Sequence, residues 1–322
     1  MTRTARRPTI VDVARAAGVS KSLVSAALRG EAGVGADSRE RILAAADELG
    51  YRTNGWAQRL VSGRSDLVGV LLTDLRNAYQ TDIVNGIEDA ARDAGFDVIL
   101  SHGRRDRGLL RARLQGLIDL GVDAVIAVTG HLDADDLEAA AAQLPIVVVG
   151  RPSSVPDAAG WIRNDDEEGA RLALAHLHER GHERIAFLHG SSRPATRARR
   201  DTYRSLVADP REFDADASGI AHLLDAVAAG DVSAVFAAND RLAAQIVADA
   251  SDRGLRVPGD LAVVGYDNTE LADLVRPGLT TIDQPRPAMG GEATTLALAM
   301  LRGGAPARTV AVPRLVIRGS SG

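Results

Sequence analysis

The chain has 322 residues, contains no cysteine and carries a formal net charge of −5. Its length suits a small domain joined to a larger, two-lobed α/β body. The lack of cysteine excludes disulfides, thiol catalysis and thiolate zinc sites. Because the N-terminus lacks the apolar segment of a signal peptide, and no apolar run approaches the roughly 18 residues of a membrane span, we expect a cytoplasmic protein without a membrane partner.

The charge is unevenly distributed along the chain. Residues 1–64 hold eleven basic and six acidic side chains, a net +5, whereas the remainder holds 27 basic and 37 acidic side chains, a net −10. A basic head on an acidic body indicates that only the head meets a polyanion such as nucleic acid. On charge alone, a solvated basic tail explains the pattern equally well.

The first predicted elements are two short helices. Thr9–Asp12 has the spacing of a capping box that begins a helix, and apolar residues then recur at helical intervals. Gly18 suits a left-handed helix end, and Val19 would fill the corner. Ser20 would cap a second helix from Lys21 to about Leu28. The inward residues of this second helix would be Leu23, Val24, Ala27 and Leu28.

Two short helices joined by a glycine-containing turn are typical of a helix-turn-helix, although ordinary helical hairpins share the pattern. The second helix would expose small and basic side chains that enter a major groove with little steric cost: Lys21, Ser22, Ser25, Ala26 and Arg29. A third helix, about Asp37–Leu49, would close a small core. Its inward residues would be Ile42, Leu43, Ala46 and Leu49.

The motifs Ile10–Ser20, Val24-Ser25, Ser38–Ile42, Leu49–Tyr51 and Asn54 occur in this order. Together they resemble the head of a LacI/GalR-family regulator over some sixty residues. The resemblance implies that Lys21 and Ser22 read bases, that Ser25 and Ser38 contact phosphates, and that Arg29 makes a further DNA contact. The predicted DNA-contacting set also includes Thr9, Ser20, Ala26 and Asn54.

Position 26 departs from the family pattern. Relatives often carry arginine there, which can read guanine bidentately, whereas Ala26 offers at most a methyl contact to thymine. Leu23 likewise stands where threonine is common. We therefore expect an operator sequence that cannot be taken over from relatives.

Residues 54–65 resemble the family's hinge helix. By position, Ala57 and Leu60 would enter the minor groove, where an apolar wedge unstacks base pairs and kinks the duplex. Such a step favours a dimer, which places two leucines side by side. A helix this short is unstable alone in water, so we expect it to order on DNA. The alternative is a flexible linker with one buried leucine.

From Leu67 onward, buried strands alternate with helices, which predicts parallel sheets covered on both faces. The predicted strands are Leu67–Leu72, Phe96–Leu100, Ala124–Val128, Ile146–Val149, Arg184–Leu188, Ala234–Ala237 and Leu261–Val264. The predicted helices are Ile83–Ala94, Leu109–Leu120, Glu167–Arg180, Arg241–Arg253 and Met289–Leu301. Ligands of such folds lie at the carboxyl ends of the strands, and two such lobes would leave a cleft between them.

The resemblance extends to a periplasmic-binding-protein-like sensor. It is carried by Asn77–Tyr79, Gly181–Ala186, Ala238–Asp240, Val264–Asn268 and Leu279–Gln284. It implies that Arg199, Asn239, Asp267 and Gln284 face a small-molecule effector from one side. Thr73, Asn77, Tyr79 and Arg151 would face it from the other. Such donors and acceptors suit vicinal hydroxyls, and a tyrosine ring can cover a sugar, so we expect a carbohydrate.

Each of these residues has a second interpretation. Asn239 could only cap the helix that follows, Asp267 and Asn268 could form a turn, and Arg199 is one of several neighbouring arginines. Gly150 and Val128 also stand where relatives carry polar residues. The region from Tyr203 to Ala234 is shorter than is usual and lacks the expected strand between Leu206 and Ala217, which predicts a trimmed C-terminal lobe.

Two other classes of protein, enzymes and transport-type binding proteins, share parts of this pattern. An enzyme would need a catalytic motif, and the chain contains no Gly-x-Ser-x-Gly, P-loop or His-Glu-x-x-His. We interpret His176, His178, His182 and His189 as surface or packing residues rather than metal ligands. A transport-type sugar-binding protein shares the two-lobed fold, but the N-terminal head argues against it.

The sequence thus predicts a homodimeric transcriptional regulator and repressor that binds a near-palindromic operator, with no cofactor, no metal and no catalytic activity. Its domains would be a helix-turn-helix at residues 1–50, a hinge at 51–65 and a two-lobed body for effector binding and dimerisation at 66–322. No leucine heptad follows Arg308, so a tetramerisation coil is not expected.

Overall fold

The computed structural model describes residues 8–28, 33–51 and 64–322. The chain divides into two units, Met1–Asp66 and Leu67–Gly322. Four of the predicted DNA-contacting residues lie outside the described residues: Arg29, Asn54, Ala57 and Leu60.

The N-terminal unit contains three helices, α1 (Ile10–Ala17), α2 (Lys21–Leu28) and α3 (Ala36–Glu48). The predicted capping box is confirmed: the Thr9 side chain accepts from the backbone of Asp12, and the Asp12 carboxylate accepts from the N–H of Thr9 at 2.8 Å. The Thr9 hydroxyl also donates to this carboxylate, at 2.7 Å. The predicted left-handed end of α1 is also confirmed, with Gly18 at a φ of 66°. Only a residue without Cβ adopts this conformation at little cost, which explains the glycine.

A small apolar core joins these three helices, formed by Val13, Ala14, Ala17, Val24, Ala27, Ile42, Ala45 and Ala46. The prediction that Leu43 and Leu49 point inward is wrong, since they are 49% and 38% exposed. The inward stripe of α3 is Ile42, Ala45 and Ala46, at spacings of three and four residues. Leu43 lies about 100° around the helix from Ile42, and Leu49 follows the last helical residue.

The second unit contains two six-stranded sheets. Their strands are β1 (Leu67–Leu72), β2 (Asp97–His102), β3 (Ala124–Val128), β4 (Ile146–Val149), β5 (Gly160–Asn164), β6 (Ile185–His189), β7 (Arg211–Asp214), β8 (Ala234–Ala237), β9 (Ala262–Asp267), β10 (Thr280–Asp283), β11 (Arg308–Ala311) and β12 (Arg314–Val316). The first sheet has the strand order β11-β5-β4-β3-β1-β2 and the second β12-β10-β9-β8-β6-β7. All neighbours are parallel except β10 and β12.

Helices alternate with these strands. They are α4 (Ala78–Asp93), α5 (Arg107–Asp119), α6 (Ala134–Ala141), α7 (Asp166–Glu179), α8 (Pro194–Leu206), α9 (Ala217–Ala228), α10 (Asp240–Asp252), α11 (Glu270–Leu274) and α12 (Arg286–Leu301). Helix α12 returns to the first sheet and packs along α4. Glycine permits this close approach, because a Cβ on Gly290 would lie 2.1 Å from the carbonyl oxygen of Ile83. Among the described helices, none is both long enough and apolar enough to cross a membrane.

Two predictions about the strands are wrong. The strand expected to be missing between Leu206 and Ala217 is present as β7, which pairs with β6 at the edge of the second sheet. Its sequence, Arg211–Asp214, has only Phe213 to pack on the core, so no apolar run marked it. The strand predicted at Phe96–Leu100 is not buried, because β2 is an edge strand in which Leu100 is 47% exposed.

Candidate ligand cleft and DNA-contacting face

The carboxyl ends of both sheets in residues 67–322 open onto one cavity of about 200 Å³. Loops after β1, β3 and β4 line it from the first lobe, and loops after β6, β8, β9 and β10 from the second. The eight residues predicted to face an effector all line it: Thr73, Asn77, Tyr79, Arg151, Arg199, Asn239, Asp267 and Gln284. The structure therefore brings together residues that are up to 211 positions apart in the chain.

Arg199 is buried in the wall of the cavity, only 7% exposed. Its Nε and Nη2 donate to Asp166 at 2.9 and 2.8 Å, and its Nη1 donates to the carbonyl oxygen of Ala238 at 2.6 Å. The guanidinium also lies 3.4 Å from the centre of the Tyr266 ring, within the range of a cation–π contact. These contacts distinguish Arg199 from its neighbouring arginines.

Asp267 and Gln284 form a hydrogen-bonded pair in the second lobe, in which Gln284 Nε2 donates to Asp267 Oδ1 at 2.6 Å. Burial raises the pKa of the Asp267 carboxyl to about 7, against the opposing effect of the Arg199 charge. Asp267 and Asn268 have positive φ angles of 108° and 51°. Asp267 therefore ends β9 in a left-handed backbone conformation and lines the cavity, whereas no turn is present at Asp267 and Asn268.

Arg151 lines the cavity, but its guanidinium already has partners. It donates to both carboxylate oxygens of Glu167 at 2.9 and 2.6 Å, and it lies 3.6 Å from Asp166. The hydrogen bonds from Arg151 lower the pKa of Glu167 to about 2. Arg151 therefore links the end of β4 to the first turn of α7, a contact that its predicted role did not include.

Two of the predicted residues also begin helices. Asn77 accepts a hydrogen bond from the N–H of Tyr79 at the start of α4, and Asn239 accepts one from Leu242 at the start of α10. For Asn239 the capping interpretation and the position in the cavity are thus compatible. Thr73 is held by a hydrogen bond from its hydroxyl to that of Thr129, at 2.8 Å.

The candidate DNA-contacting face lies on α2 of the first unit. Lys21 and Ser22 are exposed, and Ser25 and Ala26 are half-buried. Residues 21, 22 and 25 fall on one side of a helix, opposite the buried Val24 and Ala27. Ser38 is half-buried near the start of α3.

Two other predicted contacts already have local partners. Ser20 accepts a hydrogen bond from the N–H of Leu23 at 3.2 Å, and Thr9 belongs to the capping box of α1.

Comparison with known proteins decides the family. Residues 9–54 match the family described as bacterial regulatory proteins, lacI family, and residues 174–321 match the periplasmic binding protein-like domain. The regulator CelR of Thermobifida fusca is 34% identical over 98% of each chain. Catabolite control protein A of Priestia megaterium is 30% identical over 89% of this chain and 91% of its own. The chain belongs to the LacI family.

Solved structures support the same assignment. The Lac repressor dimer bound to operator and the anti-inducer ONPF superposes with a TM-score of 0.82, at 30% identity, over 98% of this chain and 99% of that one. A CelR–cellobiose complex gives a TM-score of 0.70 at 31% identity, over 98% of this chain and all of that one. LacI-family members are DNA-binding transcriptional regulators rather than enzymes, and this chain is a sequence-specific regulator of that kind.

Several residues in the cleft of this LacI-family chain were missed by the sequence reasoning. Asn164 ends β5, a strand that was not predicted, and Asp166 begins α7. Ser191 and Arg193 precede α8, and Thr196 lies in its first turn. The polar run Asn164–Glu168 directly after an apolar segment is the signal that could have identified the first two. The position of Arg193 offers no such signal, because it is one of several arginines in sequence.

Three of the four histidines interpreted as surface or packing residues have hydrogen-bond contacts in the structure. His176 is buried, with its Nε2 2.7 Å from the Ser321 hydroxyl, and His182 Nδ1 lies 3.0 Å from that of Ser233. Within residues 8–28, 33–51 and 64–322, no three His, Asp or Glu side chains are grouped to hold a metal ion.

Proposed function

We propose that a dimer of this chain represses transcription from a near-palindromic operator, and that a carbohydrate in the cleft controls this binding. The observation that carries the proposal is that all eight residues chosen from the sequence surround one cavity at the carboxyl ends of two sheets. This is where ligands of open α/β sheets bind. The exposed Lys21 and Ser22 of α2 would supply contacts to bases.

Two relatives support a pairing of DNA and small-molecule binding. One solved structure is a Lac repressor dimer with operator and ONPF, and another is a CelR–cellobiose complex. Arg199, Asp267, Asn239 and Gln284 of this chain provide the charged and amide groups that hold vicinal hydroxyls, and Tyr79 provides an aromatic face.

Coupling between the two ligands would act through the lobes of the body. The cavity is lined from both lobes, so a ligand that contacts both changes the free energy of closing one against the other. Couplings of this kind are about 1–3 kcal/mol. We assign DNA reading to residues 1–50, coupling to 51–65 with Ala57 and Leu60 in the minor groove, and effector binding and dimerisation to 66–322. The chain would act without catalysis, in the cytoplasm where the chromosome lies.

The test is selection of random duplex DNA on the purified full chain, with sequencing, at two salt concentrations. We expect enrichment of a near-palindromic site, because two-fold symmetry in the protein imposes it on the DNA. Repeating the selection with and without cellobiose and other saccharides then tests control by the cleft. A lack of enrichment at both salts, in every ligand condition, would contradict the proposal.

A further inference from the structure

Two buried hydrogen-bond acceptors in the cleft lack donors. The side chains of Asn164 and Gln284 are 4% and 1% exposed, and Asn164 Oδ1 and Gln284 Oε1 receive no hydrogen bond from any described residue. Their amide nitrogens are occupied, by Tyr266 and Asp267 respectively. A buried acceptor without a donor costs free energy, and a ligand whose O–H or N–H groups donate to these two oxygens would recover that cost.

The other end of the cleft holds a cation without a counterion. Arg193 lines both the 200 Å³ cavity and an adjoining cavity of about 500 Å³. Four other arginines around the cleft have carboxylate partners: Arg151 with Glu167, Arg199 with Asp166, and Arg76 and Arg105 with Asp74. Arg241 has no such partner among the described residues, but of the two cavities it lines only the larger. No described residue forms a hydrogen bond or ion pair with the guanidinium of Arg193.

The surroundings of Arg193 favour a negative charge beside it. Arg193 is an exposed residue at the rim of these cavities, and Arg105 of the first lobe lines the larger one. Desolvation together with the charge of Arg105 lowers the pKa of Arg193. Ser191 and Thr196 line both cavities, and their hydroxyls are hydrogen-bonded to each other at 3.0 Å. This leaves one O–H of the pair to donate to an anion.

The carboxylates near Arg193 do not supply that negative charge. Asp74 is held by two arginines, and Asp240 accepts hydrogen bonds from Thr269 and Thr281 in the interior. Asp267 and Glu270 also line the larger cavity, and neither forms an ion pair with Arg193. The position beside Arg193 is therefore open to an anionic group from outside.

We propose that the effector is an anionic carbohydrate, with its hydroxyls at Asn164, Gln284 and Asp267 and its carboxylate or phosphate at Arg193. This inference rests on the proposed function, because it names the chemical class of the ligand in the same cleft. A neutral sugar would fill the inner positions and leave Arg193 without a counterion. An anionic group would form charge-assisted hydrogen bonds with the guanidinium and with the remaining O–H of the Ser191–Thr196 pair.

The experiment uses the full chain with inorganic phosphate and with acetate as probes, each compared with chloride at equal ionic strength. Thermal unfolding is followed in the wild type and in Arg193→Gln, Arg193→Lys and Arg197→Gln. Arg197 is the matched control, since it lies one turn further along α8, is exposed, and lines neither cavity. Any phosphate bound by the N-terminal unit affects all four proteins equally.

We expect phosphate or acetate to raise the Tm of the wild type and of Arg197→Gln above the chloride value. In Arg193→Gln the anion concentration that gives half of the rise in Tm should increase about tenfold, because one charge-assisted hydrogen bond to the anion is lost. Arg193→Lys keeps a positive charge and should recover part of this loss of affinity. A larger response to phosphate identifies a sugar phosphate, and a larger response to acetate a sugar acid.

The same response in the wild type and Arg193→Gln, or no response beyond chloride, overturns the inference. Selection of operator DNA on the same preparations separates the two proposals. If the chain selects an operator but its response to anions does not depend on Arg193, only the proposed ligand class is contradicted. If that response is present but no operator is selected, the proposed function is contradicted.

Discussion

The exposed face of α2 and the interior of the cleft differ in how their candidate functional residues are held. Lys21 and Ser22 stand in solvent, whereas Arg199 is buried and has hydrogen bonds to Asp166 and Ala238. Residues of the first kind can change with the DNA sequence they read at little cost to the fold. Residues of the second kind serve the fold and the ligand together, so substitutions there change both.

The largest effect is expected for Arg199→Met. This variant leaves Asp166, which is 2% exposed, without its closest counterion, and breaking a buried ion pair from one side costs about 3–5 kcal/mol. The free energy of unfolding, from urea titration, should fall by this amount. The exposed control Arg197→Met should stay within about 0.5 kcal/mol of the wild type.

A double variant sharpens this test. If the loss in Arg199→Met comes from the buried Asp166 carboxylate, which then keeps only Arg151 at 3.6 Å, the double variant Arg199→Met with Asp166→Asn should regain part of the lost stability, because that buried charge is then removed as well. Equal stabilities of Arg199→Met and Arg197→Met would remove the distinction between the cleft and an exposed surface.

The second effect concerns pH and Asp267. Its carboxyl has a pKa of about 7 in the folded chain against an ordinary value of 3.8, so the folded state holds this proton more tightly than the unfolded state. The resulting stabilisation is complete below pH 3.8 and is lost as the pH rises to about 7. Asparagine at position 267 does not titrate, so the Asp267→Asn variant lacks this loss of stability. The free energy of unfolding of the variant minus that of the wild type should therefore increase between pH 3.8 and about 7, by up to about 4 kcal/mol.

Urea titrations of both proteins at pH 4.5, 6.0 and 7.5 measure this difference. The charges that face Asp267 are Arg199 and Arg286, which lower its pKa, and Asp240 and Asp166, which raise it. A difference that does not change with pH would mean that Asp267 is ionised like an exposed carboxyl.

The same contrast explains what the sequence could predict. Strands β1, β3, β4 and β8 were predicted to the residue, because each is a buried apolar run between polar segments. Strand β7 was missed because it is a short, charged edge strand. Periodicity reports burial, and edge strands are only partly buried.

The candidate site shows a similar limit. Resemblance placed the eight residues around one cavity, and helix periodicity placed Lys21 and Ser22 on the exposed side of α2. The partner of Arg151 could not be predicted, because its contact with Glu167 depends on how β4 and α7 meet in space. The same holds for the stacking of Arg199 on Tyr266.

The third prediction is that Lys21→Ala lowers operator affinity by about 1–3 kcal/mol, roughly 5- to 150-fold, and leaves the Tm unchanged. Lys21 is the only lysine in the chain and is exposed, so little internal contact is lost. Operator DNA should also protect it from amine-specific labelling. Arg15→Ala is the control, since Arg15 is an exposed cation on α1 rather than α2. Equal losses of affinity in both variants would indicate general electrostatic attraction instead of a specific contact.

The smallest expected effect is at Thr9, where the two kinds of residue meet. Thr9 was predicted to contact DNA, yet its hydroxyl donates to Asp12 at 2.7 Å in the capping box of α1. Thr9→Ala should destabilise α1 by about 1 kcal/mol, which hydrogen exchange would show as a roughly fivefold loss of protection of the α1 amides. Thr9→Ser keeps the hydroxyl and should retain this protection. If both variants bind the operator as the wild type does, the residue acts only in the fold. If Thr9→Ala loses more than about 1 kcal/mol of operator affinity, the loss of the helix cap does not explain it, and the hydroxyl also contacts the phosphate backbone. Thr9 would then both stabilise the fold and contact DNA, so the contrast between exposed DNA-contacting residues and internally hydrogen-bonded ones would not hold at the start of α1.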